Sequence, residues 1–340
     1  MRRYKMLCIG LLLLLIHAAT STPAESQTAS QMGLRPNAEG EPTPIYVGVY
    51  LFDVTKVDDE SQSFNVDFHL SVRWRDPRLA NPNVDSGGRQ LNLDQVWHPA
   101  LDLLNQRDVS LRLPGVVRVD AEGNVHYRQR FYGTLSSPLD LREFPFDQHV
   151  LPIHIISYMY GTQDVALTID EARTGVLGEF SAAGWEFETG ETHIYSEQLQ
   201  SLGEERARMT FEIIGRRDSG FYLWTAILPL SLIVMMAWAV FWIDPDFLPA
   251  QIGLSTASVF TLIAFRLSLR LMLPPVSYMT RADQFLFGAT LLVFLALGEA
   301  VATGGMAKNG QEAFAKKVDR QARWIYAVAF ALICVVTLVV

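Results

Sequence analysis

Leu248-Pro-Ala-Gln-Ile-Gly-Leu-Ser-Thr-Ala-Ser-Val-Phe260-Thr-Leu-Ile-Ala-Phe-Arg266-Leu-Ser-Leu-Arg270-Leu-Met-Leu-Pro274-Pro275 is one of four apolar stretches in the C-terminal third of this 340-residue chain. It is long enough to cross a bilayer as a helix. It also carries Ser255, Thr256, Ser258, Thr261, Ser268, Arg266 and Arg270. An arginine facing lipid costs roughly 2.5 kcal/mol or more. Such residues therefore turn toward other helices or water. The helix is surrounded by protein or lines a pore, which indicates transport rather than catalysis. Pro274-Pro275 stops it, because proline lacks the amide donor and clashes with the preceding turn.

Working outward, the other stretches run from Phe221 to about Ile243, from about Phe285 to Thr303, and from about Trp324 to Val340. The spans expected are about 221–243, 250–273, 285–303 and 324–340, within a membrane domain of 219–340. Charged residues concentrate before Asp218. The formal net charge of −8 leaves no basic patch for nucleic acid. Arg2, Arg3 and Lys5, the apolar Met6–Ile16, and the small residues Ala18, Ala19, Ser21 and Ala24 read as a secretory signal over 1–22. A Pro-, Ser- and Glu-rich lead-in occupies 23–44.

From Ile45 to Asp218 the pattern is one of short β-runs broken by turns. Ser63–Trp74 alternates with period two, and Asp120-Ala-Glu-Gly123-Asn124 separates two apolar runs as a hairpin turn. The fold expected is a mainly-β exported domain, an immunoglobulin-like β-sandwich, followed by an all-α four-helix transmembrane domain. The two cysteines, Cys8 and Cys334, lie outside the β-domain, which must be stable through its own core. Lys308, Lys316, Lys317, Arg320 and Arg323 place the connection between the last two spans in the cytoplasm. The exported domain and the C-terminus then lie outside. No phosphate loop, nucleophile elbow or metal-binding spacing is present, so no enzyme activity, cofactor or metal is expected.

Trp74-Arg-Asp76-Pro-Arg78-Leu79, Trp97-His-Pro99-Ala100, Ser137-Pro-Leu-Asp140, Phe144-Pro-Phe-Asp147, Arg217, and Tyr222-Leu-Trp-Thr-Ala-Ile-Leu-Pro229 follow one another ahead of the spans. In this order they resemble the pentameric ligand-gated ion channels, the Cys-loop receptor superfamily, from about Ile45 to the C-terminus. No cysteine flanks Phe144–Asp147, and the loop before the last span is short, so the chain resembles the bacterial branch. The resemblance implies a homopentamer in the bilayer, with each second span lining the pore and an unknown small ligand at the external subunit interface. It also implies a coupling cluster of Asp58 or Asp59 with Asp147 and Arg217. Pro145 and Phe146 press on the Pro274, Pro275 and Tyr278 loop. The ligand aromatics are Tyr158 and Tyr195, with Trp74 on the strand facing the neighbouring subunit, a position that is more often core in this family. Ser196–Arg206 carries no aromatic residue, unlike amine-binding relatives. The positions used in acid-activated relatives are occupied by Gln62 and Leu262.

Phe241–Leu254 resembles the pore entry of glycine and GABA receptors, which conduct chloride. Pro249 and Ala250 stand where cation channels place a glutamate ring, Gln251 replaces the Arg that the chloride-conducting receptors have there, and Arg270 lies near the external end. The resemblance implies anion selectivity; the alternatives are a cation channel of the same family and a non-conducting membrane-anchored sensor. Family register turns Gly253, Ala257, Phe260, Ala264, Leu267 and Leu271 to the axis, with Phe260 as the gate. Simple polarity would turn the opposite face to water. Glu299, near the inner end of the third span, reads as a helix-packing residue.

Overall fold

The computed structural model describes residues 33–37, 40–85, 87–198, 203–269 and 276–338. The expected signal peptide, most of the lead-in, and Arg270, Leu271, Pro274 and Pro275 lie outside them. The β-part comprises β1 (Thr43–Asp58), β2 (Ser63–Arg75), β3 (Arg89–Asn92), β4 (Leu101–Leu103), β5 (Gln106–Leu111) and β6 (Val116–Val119). It continues with β7 (Asn124–Ser136), β8 (Gln148–Ser157), β9 (Val165–Ile169), β10 (Gly175–Val176), β11 (Trp185–Gln198) and β12 (Glu205–Arg217). One sheet runs β10-β1-β2-β7-β6-β3, with β5 on β7 and β9 on β1; the other runs β11-β12-β8-β4.

Alternation decides what lies between the sheets. Phe64, Val66, Phe68, Leu70, Val72 and Trp74 face inward from β2, and Ala207, Met209, Phe211 and Ile213 from β12. Leu151, Ile153 and Trp97 complete the layer. Trp74 is therefore core. Its indole is 2% exposed and meets Trp97 edge-on at 6.1 Å, which corrects its placement toward a neighbouring subunit. The motif that follows it is a structural tie. Asp76 accepts from the Arg78 backbone amide and side chain and so caps the turn Pro77–Leu79. Its own amide donates to the Gly123 carbonyl, joining the end of β2 to the β6–β7 turn.

Among the described residues, four helical segments are long and apolar enough to cross a membrane: Gly220–Trp242, Pro245–Leu269, Arg281–Lys308 and Glu312–Leu338. Their regular α-helices are α1 (Leu228–Trp238), α2 (Leu248–Leu269), α3 (Arg281–Lys308) and α4 (Glu312–Leu338). A π-helical turn, Leu223–Ile227, precedes Pro229 of α1. α3 starts four residues earlier than the apolar window implied, because Thr280 and Asp283 form a capping box. α4 starts twelve residues earlier. Lys316, Lys317, Arg320 and Arg323, read as a loop, belong to its first turns. Arg323 donates to the Phe241 carbonyl and lies 3.8 Å from the Trp242 ring centroid.

Gly123 adopts φ +81, and a Cβ there would lie 2.5 Å from the Asp76 carbonyl oxygen. Gly123→Ala is expected to destabilise the β-domain by more than about 1 kcal/mol, read as a lower thermal midpoint by tryptophan fluorescence. An unchanged midpoint would show that the tie between Asp76 and the turn is dispensable.

Candidate functional site: a coupling junction, a ligand face and a pore helix

The junction between the β-domain and the helices is built around Arg217, the last residue of β12. Its Nε donates to Asp147 Oδ1 at 2.8 Å and its Nη2 to Asp147 Oδ2 at 3.0 Å and Asp59 Oδ1 at 2.8 Å. The Arg217 side chain is 4% exposed and that of Asp147 1%. The guanidinium lies between the rings of Trp185 and Phe144, at 4.3 and 4.8 Å. His149 Nε2 lies 2.6 Å from Asp147 Oδ2. Burial opposes the Asp147 charge most strongly; hydrogen bonds from His149 and Arg217 overcome it and hold the carboxyl below its ordinary value. Burial likewise opposes the Arg217 charge, and the bonds to Asp147 and Asp59 outweigh it, raising its pKa.

Asp59 thus supplies the second carboxylate. Asp58 does not: it bonds Lys56 at 2.5 Å and caps the Ser61 amide within its own turn. Gln62 ties the same turn to the next loop, its amide oxygen accepting from Leu139 N and its amide donating to the Asp59 carbonyl. The contacts of Tyr278 also differ from expectation. Its hydroxyl accepts from Leu141 N at 2.9 Å, and the Arg142 guanidinium stands 5.1 Å from its ring. Pro145 is buried and Phe146 half-buried, and neither is the partner of Tyr278. Phe144 makes the further links, its carbonyl to Ala282 N and its ring edge-on to Tyr222 at 4.8 Å. Sequence reasoning missed His149, Trp185, Phe144 and Tyr222. His149 was findable, since period two puts it on the face of Asp147.

On the outer face of the β11-β12-β8 sheet, Tyr158 is 53% exposed. Tyr195 is half-buried, stacked on His193, with Arg208 4.8 Å above its ring. Arg208 is paired with Glu197 at 2.5 Å. Burial, and then the Arg208 charge, push His154 down to about 4. Its ring nitrogen meets the Thr210 hydroxyl at 3.0 Å.

Along α2, Gly253, Ala257, Phe260, Ala264 and Leu267 are all exposed in the protomer, Phe260 at 68%. Ser255, Ser258 and Leu262 are buried against the other helices. The hydroxyls of Ser258, Thr261 and Ser268 donate to carbonyls four residues back in α2. They satisfy their own helix rather than its neighbours. Gln251 is corrected as a pore-mouth residue: it is fully buried, its amide donating to the Ile243 carbonyl at 2.9 Å. Pro249 and Ala250 remain exposed at the start of α2. Lys316 stands 3.2 Å from Asp244 and 3.5 Å from Asp246. Glu299 surrounds buried Asp319 together with Thr303, Gln251 and Arg323.

Residues 29–219 match the family model for the neurotransmitter-gated ion-channel ligand binding domain, and residues 226–311 that for the neurotransmitter-gated ion-channel transmembrane region. The chain is 27% identical over 299 residues to a proton-gated ion channel of Gloeobacter violaceus, covering 87% of this chain and 83% of that one. It is 26% identical over 277 residues to the gamma-aminobutyric acid receptor subunit beta-4 of Gallus gallus, covering 78% of this chain and 56% of that one. It is 28% identical over 293 residues to a gamma-aminobutyric acid receptor subunit beta-like protein of Drosophila melanogaster, covering 79% of this chain and 58% of that one. It therefore spans little more than half the length of the two receptor subunits.

Arg217→Ala leaves Asp147 buried beside His149 alone, and Asp147→Ala leaves Arg217 with Asp59 alone. Each is expected to destabilise by about 3–5 kcal/mol, and the double variant by less than the sum. Additive losses in thermal denaturation would show that the pair is not a unit. Because the folded Asp147 value is depressed, its stabilisation is complete above an unfolded value of about 3.9 and lost as pH falls through the folded value. Denaturation midpoints should therefore carry no Asp147 contribution to pH dependence between about pH 5 and 8.

Proposed function

The chain belongs to the neurotransmitter-gated ion-channel family, the pentameric ligand-gated channels, and from that premise we propose a homopentamer whose α2 helices enclose an anion-conducting pore. The family's members are membrane channels and not enzymes. The observation that carries the pore assignment is Arg266. It is exposed in the protomer, within a span, and lipid does not tolerate it there. Other copies of the chain or water must cover that side of α2, which a ring of subunits does.

Three observations favour anions. Pro249 and Ala250, exposed at the inner end of α2, bring no carboxylate to the mouth. Asp244 and Asp246, just before α2, face Lys316. Two of the relatives are gamma-aminobutyric acid receptor subunits, whose pore-entry segment this chain resembles. Phe260, the bulkiest residue of the exposed apolar line, forms the gate, since a narrow apolar ring excludes water and so ions.

The stimulus enters at the external subunit interface through the face bearing Tyr158 and Tyr195. It passes along β12 to Arg217, Asp147 and Asp59, and then to the first span and Tyr278. A ligand does this by its differential affinity for the closed and open arrangements. The chain is placed in the inner membrane of a bacterial cell, exported under its signal peptide. The β-domain and C-terminus lie outside, and Lys308, Lys316, Lys317 and Arg320 lie at the cytoplasmic side.

Native mass measurement in detergent should give a pentamer; a stable monomer or dimer would sink the pore reading. In planar bilayers with a potassium chloride gradient, current should reverse near the chloride equilibrium potential. Reversal near the potassium potential would assign a cation channel. Phe260→Ser should raise resting conductance per assembled pentamer, and Phe260→Leu should leave it closed. An unchanged resting conductance for Phe260→Ser, with normal assembly, would move the gate elsewhere on α2.

A further inference from the structure

The outer face of the ligand-side sheet holds a guanidinium that the described residues match only in part. Alternation along β12 turns Ala207 and Met209 into the core, and so sets Arg206, Arg208 and Thr210 on the opposite face. Register places Glu197 opposite Arg206 and Tyr195 opposite Arg208 on β11. On β8 it places Ile156 opposite Arg208, and Tyr158 follows two residues later. Arg206 is 6% exposed. Its Nη2 lies 3.3 Å from Glu204, whose side chain is 66% exposed, and its Nε and Nη1 have no hydrogen-bond partner among the described residues. Arg208, two residues on, is held by Glu197.

A guanidinium removed from water is destabilising unless acceptors meet its donors. Glu204, mostly in solvent, is a weak and displaceable partner. The acidic groups of this face are otherwise engaged or turned outward: Glu197 on Arg208, Glu212 4.0 Å from His193, and Glu205 exposed. A planar carboxylate offers the oxygens that the guanidinium geometry fits. Tyr158, more than half exposed, offers a ring face for the body of such a molecule, beside the Tyr195 ring that is stacked on His193 and lies under Arg208. A cationic amine here would meet Arg206 and Arg208 as like charges.

We propose that the ligand of this face is a small carboxylate with a flat apolar body, its carboxylate received by Arg206 and its body set against Tyr158. This rests on reading the face as the ligand site. Arg206 is then the group that selects a carboxylate over an amine, and Glu204 occupies its place when no ligand is bound.

The test uses the full chain in detergent, with benzoate and benzylamine as probes of equal shape and opposite charge. Calorimetry should show saturable benzoate binding and none for benzylamine. Arg206→Gln should weaken benzoate about tenfold or more, the loss of one charge-assisted pair. Glu204→Gln should tighten it, because the competing carboxylate is gone; a purely structural Arg206–Glu204 pair would not produce that gain. If Arg206→Gln fails to assemble, the comparison of benzoate with benzylamine on the wild type, and Glu204→Gln, still decide. Absence of saturable benzoate binding to the wild type, preference for benzylamine, or unchanged benzoate affinity in Arg206→Gln would overturn the proposal. Bilayer recording separates it from the channel reading. Benzoate binding by a protein that never conducts would sink the channel and leave the site. Conducting channels that neither bind nor respond to benzoate would do the reverse.

Discussion

A guanidinium taken out of water has to be met on every side, and the joint between sheet and helix is arranged around that requirement at Arg217. Asp147 comes from the loop before β8, Asp59 from the β1–β2 turn, and the enclosing rings from Trp185 and Phe144. The contributors come from three segments, the β7–β8 loop, the β1–β2 turn and β11, so satisfying one side chain fixes their mutual positions. Gly220, three residues after Arg217, begins the first span, so the direction in which the chain leaves the sheet is set at the same point. Phe144 and Leu141 extend the arrangement to Tyr222, Ala282 and Tyr278. A buried ion pair adds little net stability over well-packed apolar residues. What it adds here is an intolerance of intermediate geometries, because a partial separation strands a charge.

The helical part solves a different problem with hydroxyls. Ser258, Thr261 and Ser268 lie on different sides of α2, yet all donate to their own backbone. A hydroxyl so bonded no longer demands water, and polarity then ceases to report which face of the helix is wet. That is why the face expected from polarity alone and the exposed line of Gly253, Ala257, Phe260, Ala264 and Leu267 disagree, and why the buried side can include Ser258; the buried Ser255 hydroxyl has no such bond among the described residues. Close packing finishes the inner end: a Cβ on Gly304 of α3 would lie 2.0 Å from Leu248 Cδ1.

β2 could be read from period two, because one face of it is in the core, and the turn Asp120–Asn124 stands between β6 and β7 where the sequence put it. The short edge strands β3, β4, β5 and β10 could not, since their burial comes from neighbours distant in sequence. The start of α4 escaped hydropathy because its first turns are charged and amphipathic. Asp59 could not be separated from Asp58 on spacing, as adjacent residues of a turn differ only in where the turn points them. Gln251 was legible as a position in a motif but not as a buried one. Trp74 shows the limit from the other side: its own alternation places it inward, and the resemblance to a ligand aromatic pulled the other way. That two of the Arg206 donors lack acceptors among the described residues is a property of three dimensions.

β12 carries both arginines, and they are treated oppositely. Arg217 at its membrane end is matched by two carboxylates; Arg206 at its outer end has one exposed contact and unmatched donors. Between them the strand pairs with β8 without a register shift from Arg208 to Arg216. Its pairing with β11 is broken by an irregularity between Thr189 and Thr192. A change at the outer end is therefore carried by the β12–β8 pair, while β11 has a point at which it can yield. β8 begins beside Asp147 and His149, so the stiff pair ends on the same buried cluster that holds Arg217. In the function proposed above, an event that alters the matching of one charge would be delivered, through continuous backbone hydrogen bonds, to a place where a second charge tolerates no partial displacement.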